Sequence, residues 1–515
     1  MKKPSDSIFR LIKSMTRTEK RYFKRFASMH TNSGENKYIL IFDAINKMQE
    51  YNEEALIKKY EGASFVTNFS EIKKYLTAQI LKSLRNYHGQ SDPFIQLQEM
   101  LLEIKLLARK GIFDASLSTI KRARKLALKY EAFDVLMELD TQQLNLALST
   151  NDQKYITNYV ETQAASQKDS LEKLQHITFY RQFQMSSYLR HVSKGAFRSD
   201  IDAPMPDFDA YPLDSFKAKW MYYHAESLKV RTSNYLPDIY QNSKICHELF
   251  DLYPQFIKVY PRSYIISLNH FVSVLRLTKR LEEGLTIINK GLDFCKDAKK
   301  YQILSEFDLF RYERGLWGNK MLMAADNGLE EEVTLAYDHL SSIISIEEDT
   351  LHGFLFDLYS LLKVEIMLGQ YSKALESIFE FNQYKKKGIR EDLDVSIRLL
   401  SIMLHWELEN YSLLENLIIS TAQFLRKKDR PFNFEHLILN FFKRKGVSID
   451  RSNSAETNAA LESLKHEILN IFDNKHELED VLHFFDFVAW IDAKIEGKPM
   501  LAILKERYDA IQEEA

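Results

Sequence analysis

The sequence predicts an all-α fold, and three observations carry the prediction. The 515 residues include only 15 glycines and 10 prolines, too few turn formers for an all-β or Rossmann-like architecture. Apolar residues recur at i, i+3, i+4 and i+7 in nearly every segment, while strand-like alternation is essentially missing. A hydrophobic content of 45% with 28% charge marks a folded chain, and its length exceeds one compact core. Several domains or an elongated helical array are therefore expected.

Residues 1–90 read as a small basic helical module, with about five helices at 5–14, 17–29, 37–50, 53–60 and 66–88. The module holds 17 Lys+Arg against 9 Asp+Glu, a net of +8, which leaves 53 against 63, a net of −10, for the rest. Thr16 followed by Glu19 predicts a capping box that starts the second helix. At about 100° per residue, Arg17, Lys20, Arg21, Lys24 and Arg25 fall on one basic face. Met15, Tyr22, Phe26 and Met29 lie opposite, with Phe23 at their edge, so this side is expected to dock. In the last helix Ile72, Tyr75, Leu76, Ile80, Leu81, Leu84 and Tyr87 form a stripe expected to be buried, with Lys73, Lys74, Lys82 and Arg85 off it.

From residue 91 the helices repeat. GIFDASLSTIKRARKL from Gly111 and GQYSKALESIFEFNQY from Gly369 share a glycine, an aromatic two residues on, and a small residue three further. Weaker echoes place comparable residues at Tyr155, Tyr235, Leu281, Leu329 and Tyr411, a period near 40. The glycine is expected to end one helix with a left-handed cap. The aromatic then plugs the corner, and the small residue lets the next helix approach closely.

Leu358 to Phe379 resembles a tetratricopeptide repeat, through Leu361, Gly369, Tyr371, Ala374 and Leu375. Met100 to Ala123 is similar, through Gly111, Phe113, Ser116, Leu117 and Ala123, and RLEEGLTIINKG keeps the small residues Gly284 and Gly291. Leu362 and Ile104 replace the small residue of the first helix, the closing proline is absent, and the period exceeds that family's. The resemblance implies a right-handed helical-repeat, tetratricopeptide-like solenoid over 91–445. It also implies a concave groove that takes a peptide or partner protein. Its groove-facing positions are Leu101, Lys105 and Arg109 in the first repeat, and Phe356, Tyr359, Lys363 and Met367 in the best one.

Two stretches interrupt the helices. Residues 195–214 contain three prolines among acids and read as a loop, and 446–458 read as a linker before closing helices at 459–515. Chemical motifs are sparse. No phosphate-binding glycine loop, His-Glu-x-x-His, Cys-x-x-Cys or Gly-x-Ser-x-Gly occurs. Ser118 and Lys121 give a Ser-x-x-Lys without its partner motifs, and DIDAPMPDFD lacks the glycine and closing glutamate of a calcium loop. His476, Glu479, Asp480 and His483 share a helical face that reads as solvated. Cys246 and Cys295 suit a reducing compartment as small buried hydrophobes. No secretory signal opens the chain and no apolar run of about 18 residues appears, so a cytoplasmic protein without a membrane span is expected.

The sequence thus leads to a non-enzymatic, cofactor-free and metal-free scaffold that binds a protein or peptide. The alternative is a nucleic-acid-binding regulator that uses the basic module, with the repeats as sensor. Against it, the connection EGASFVTN between the helices at 53–60 and 66–88 is longer than a helix-turn-helix allows.

Overall fold

The computed structural model describes residues 5–29, 37–63, 68–89, 92–158, 164–194, 211–228, 236–301, 303–344, 351–385, 391–427, 433–446, 454–471 and 484–514. Among these residues the structure is helical and contains no β-strand, as predicted. The chain divides into two compact units, Met1–Leu174 and Gln175–Ala515.

The first unit opens with helices Ser7–Ser14, Arg17–Ser28, Lys37–Lys47, Glu53–Lys59 and Phe69–His88. They enclose a core that includes Ile12, Phe23, Ile41, Phe42, Ile45, Leu76 and Ile80. The capping box forms as expected: Glu19 N donates to Thr16 Oγ1 at 3.1 Å, and Thr16 N donates to Glu19 Oε2 at 2.7 Å. The buried face matches the predicted one only in part. Met15 is buried as expected and Phe23 is fully buried, its ring centroid 4.7 Å from that of Phe42, while Met29 is 77% exposed and Tyr22 and Phe26 are half-buried. The reason is Glu19, whose Oε1 lies 2.6 Å from His88 Nε2. A carboxylate held inward by two partners turns the helix by roughly 60° on its wheel and brings Phe23 to the centre. Helices Pro93–Arg109, Phe113–Lys129 and Phe133–Thr150 follow, each packed on the next and the first also on the third.

The second unit continues this pattern. Phe216–Ser227, Leu236–Leu252, Pro261–Leu277, Leu281–Tyr301, Glu306–Asp326, Glu330–Ile343, Leu351–Met367, Tyr371–Tyr384, Glu391–Glu407 and Tyr411–Arg426 pack largely in succession. Alternate helices touch as well, at sequence offsets from 37 (Tyr359 to Ser396) to 47. Trp220 donates to Ser267 across 47 residues, and Arg262 to Asp308 and Ser273 to Asn319 across 46 each. Helices Ser454–Asn470, Phe487–Glu496 and Met500–Glu514 close the unit, and the first of them begins inside the stretch expected as linker. Trp490 Nε1 donates to Glu407 at 2.7 Å, with its rings 5.8 Å from those of Trp406.

The corners are built alike. Gly111, Glu131, Asn151, Lys279, Gly328, Gly369, Glu409 and Gly497 all have positive φ, between 51° and 75°. After each, the next amide donates to the carbonyl five residues before it at 2.8 to 3.0 Å, as from Ile112 to Leu107 and from Gln370 to Glu365. The small residues of the predicted repeat do what was expected of them. Ser116 is fully buried and its Oγ donates to the Ile104 carbonyl at 3.2 Å, and Ala374 is fully buried too. A Cβ on Gly291 would meet Leu316 at 2.8 Å, so this glycine permits the close approach of Glu306–Asp326. Tyr235 lies outside the described residues.

Glu409 holds its left-handed conformation at φ 58° with a full side chain. Glu409→Gly is therefore expected to stabilise the fold by about 1 kcal/mol, because the conformation costs an L-residue roughly that much. Chemical denaturation should show a higher midpoint with an unchanged slope, and an unchanged or lower midpoint would contradict this account of the corners.

Candidate functional site

The site suggested by the structure lies in the first unit, where two helices turn apolar residues outward. In Phe69–His88 the core side is Ile72, Leu76 and Ile80, narrower than the expected stripe. Tyr75 and Leu81, each next to a core residue and so about 100° from it on the wheel, are 46% and 47% exposed, and Tyr87 is 37% exposed. In Pro93–Arg109 the core side is Leu97, Leu101 and Ile104. The opposite face, by helical geometry, carries Ile95, Leu102, Leu106 and Arg109, with Leu102 58% and Leu106 60% exposed. Such a helix has apolar surface on both sides, more than burial in this unit consumes.

Between the helices is a surface cleft of about 580 Å³ lined by Ala78, Leu81, Leu84, Arg85, His88 and Ile95. His88 is anchored through Nε2 to Glu19, so one wall of the cleft is fixed by the capping box of the second helix.

The charge around this cleft is one-sided. Residues 93–129 contain eight Lys+Arg and three Asp+Glu, so the basic character extends beyond residue 90. Over residues 1–129 the net reaches +12, from 25 against 13. Two of these cations pair internally: Lys105 Nζ lies 2.8 Å from Glu138 Oε1, and Arg124 lies 2.6 Å from the buried Asp140. The hydrogen bond from Lys105 holds the Glu138 carboxyl below the usual carboxylate range. Among the described residues, Arg85, Arg109, Lys110, Lys121, Arg122, Lys125 and Lys129 have no carboxylate within 4.0 Å.

The residues expected to line a groove are dispersed. Leu101 is core, Lys105 is tied to Glu138, and Arg109 is exposed on the outward face of its helix. In the second unit Phe356 is 39% exposed, but Tyr359, Lys363 and Met367 are buried. The reason is crowding, since Leu351–Met367 packs against Glu306–Asp326, Glu330–Ile343, Tyr371–Tyr384 and Glu391–Glu407. The Tyr359 hydroxyl donates to the Phe484 carbonyl at 2.8 Å and lies 2.7 Å from Ser396 Oγ. Burial pushes the Lys363 ammonium down from its ordinary pKa, opposed by Asp326 at 3.9 Å. These three side chains hold helices together, and none faces an open groove.

On the predicted basic face Arg17, Arg21 and Arg25 are exposed, with Arg25 5.6 Å from the Tyr22 ring. Lys24 pairs with Asp43 at 2.6 Å, and Lys20 is half-buried. Both cysteines are buried, and burial pushes each thiol up to about 12. Most of 195–214, and the face of His476, Glu479, Asp480 and His483, lie outside the described residues. Among the described residues no metal-holding group of His, Cys, Asp and Glu forms, and no helix is long and apolar enough to cross a membrane.

No protein-family model, curated protein or solved structure matches the chain.

Proposed function

We propose that the chain is a protein-interaction scaffold, a tetratricopeptide-like array of helix pairs that presents the cleft at residues 78–95, and the helix face that Leu102 and Leu106 continue beyond it, to a partner. The observation that carries this reading is the outward apolar face of Pro93–Arg109, where Leu102 and Leu106 sit one turn apart and mostly in water. An exposed apolar patch rimmed by charge marks a binding surface more often than a solvent face. The contacts between alternate helices and the repeated left-handed corners support the array. The groove at Tyr359, Lys363 and Met367 is not part of the proposal, because those residues are buried.

The test is affinity capture from the native cell, read by mass spectrometry and by sequencing of co-purifying nucleic acid. Leu102→Ser with Leu106→Ser should remove the specific protein partner while leaving the circular dichroism and melting temperature unchanged. A partner retained by the double variant would place the contact elsewhere. Nucleic acid recovered instead, and lost on charge reversal of Arg17, Arg21 and Arg25, would favour the regulator.

A further inference from the structure

We infer that the cleft takes an amphipathic helix whose apolar anchors are flanked by acidic side chains. The inference rests on the interaction reading and adds the partner's chemistry. Three observations select this occupant.

The first is shape and spacing. Ile95, Leu102 and Leu106 form a stripe on one helix, and at 1.5 Å per residue the stripe is about 16 Å long. That length matches about three turns of a second helix, which would lay anchors at i, i+4 and i+7 into it. The open cleft of about 580 Å³ that Ile95 lines lies at one end of this stripe and has room for inserted side chains.

The second is the lining. Leu81, Leu84 and Ile95 are aliphatic, and the one ring among the lining residues, His88, is held by Glu19. Single-stranded nucleic acid is gripped by stacking bases on exposed aromatic faces, which this cleft does not offer.

The third is charge. Arg85 lines the cleft, Arg109 shares the face of Leu102 and Leu106, and Lys110 follows it. Among the described residues none of the three has a carboxylate partner. A second copy meeting this surface with its own would set Arg85, Arg109 and Lys110 against the same three cations, so like charge opposes self-pairing here. Acidic flanks would meet the three cations and set orientation and on-rate, while the leucines supply the apolar contact.

The experiment uses the full chain and a display library of amphipathic helices with flanks randomised among Asp, Gln and Lys. Selected helices should carry acidic flanks at least tenfold more often than basic ones. The preference should shrink as salt is raised, because screening at molar salt shortens the electrostatic range to about 3 Å. Arg85→Glu with Arg109→Glu and Lys110→Glu should reverse the flank preference, with circular dichroism confirming that the fold survives. Leu102→Glu with Leu106→Glu should abolish selection of any helix. Selection indifferent to flank charge would overturn the inference and leave the interaction reading standing. No selected helix at all, or selection that survives the Leu102/Leu106 change, would overturn both. Binding to anionic vesicles that depends on the same leucines would replace the peptide with a lipid surface.

Discussion

Gly328→Ala is expected to destabilise the second unit by about 3 kcal/mol, through the combined cost of a left-handed alanine and an overpacked contact. Gly328 has φ 67° and forms the corner between Glu306–Asp326 and Glu330–Ile343. A Cβ there would run into the Leu501 carbonyl oxygen and the backbone of Lys505, both on Met500–Glu514. Because the obstacle is main chain, no rotamer relieves the overlap, and the closing helix must move. The control is Gly369→Ala, at φ 71° with nothing within 4 Å of the added carbon, which should cost only about 1–2 kcal/mol. Urea unfolding of the two variants measures the difference. Equal losses would show that the approach of the closing helix at Gly328 is not tight.

Arg314→Met alone should cost about 3–5 kcal/mol, because it leaves the Asp357 carboxylate buried without its cation. The guanidinium lies 2.9 Å from Asp357 Oδ2, with both side chains less than 10% exposed. Asp357→Leu alone should cost a similar amount for the reciprocal reason. The double variant Arg314→Met/Asp357→Leu is expected to lose less than either single change, since both charges of this pair are removed together. Denaturation of all four proteins completes the cycle, and additive losses would mean that the two side chains do not act as a pair.

How much of this was legible in the sequence depends on whether the cause was local. The second helix and its capping box were readable because Thr16 and Glu19 are three residues apart. The corners at Gly111 and Gly369 were readable because glycine advertises a left-handed residue, whereas Glu131, Lys279 and Glu409 adopt the same conformation without that signal. The inward turn of Phe23 depends on His88, 69 residues from Glu19, and no periodicity within one helix encodes it. The burial of Tyr359 depends on Phe484, 125 residues away. One signal for it was present: LHGFLFDLYSLLKVEIM is apolar nearly all round, the mark of a helix enclosed by neighbours. The cleft had its own signal in PFIQLQEMLLEIKLLAR, where Leu102 and Leu106 lie opposite Leu97, Leu101 and Ile104. The repeat resemblance points instead to Leu101, Lys105 and Arg109 on that helix, of which only Arg109 shares the face of Leu102 and Leu106.

The link between Glu19 and His88 has a consequence for how the first five helices open. It joins the start of Arg17–Ser28 to the end of Phe69–His88, the two places where helices ordinarily fray. With both ends fastened to each other, neither terminus can loosen without breaking the same half-buried contact. The amide hydrogens of Thr16 and Glu19 should then exchange with solvent at the pace of the interior around Leu76 and Ile80, as parts of one cooperative block.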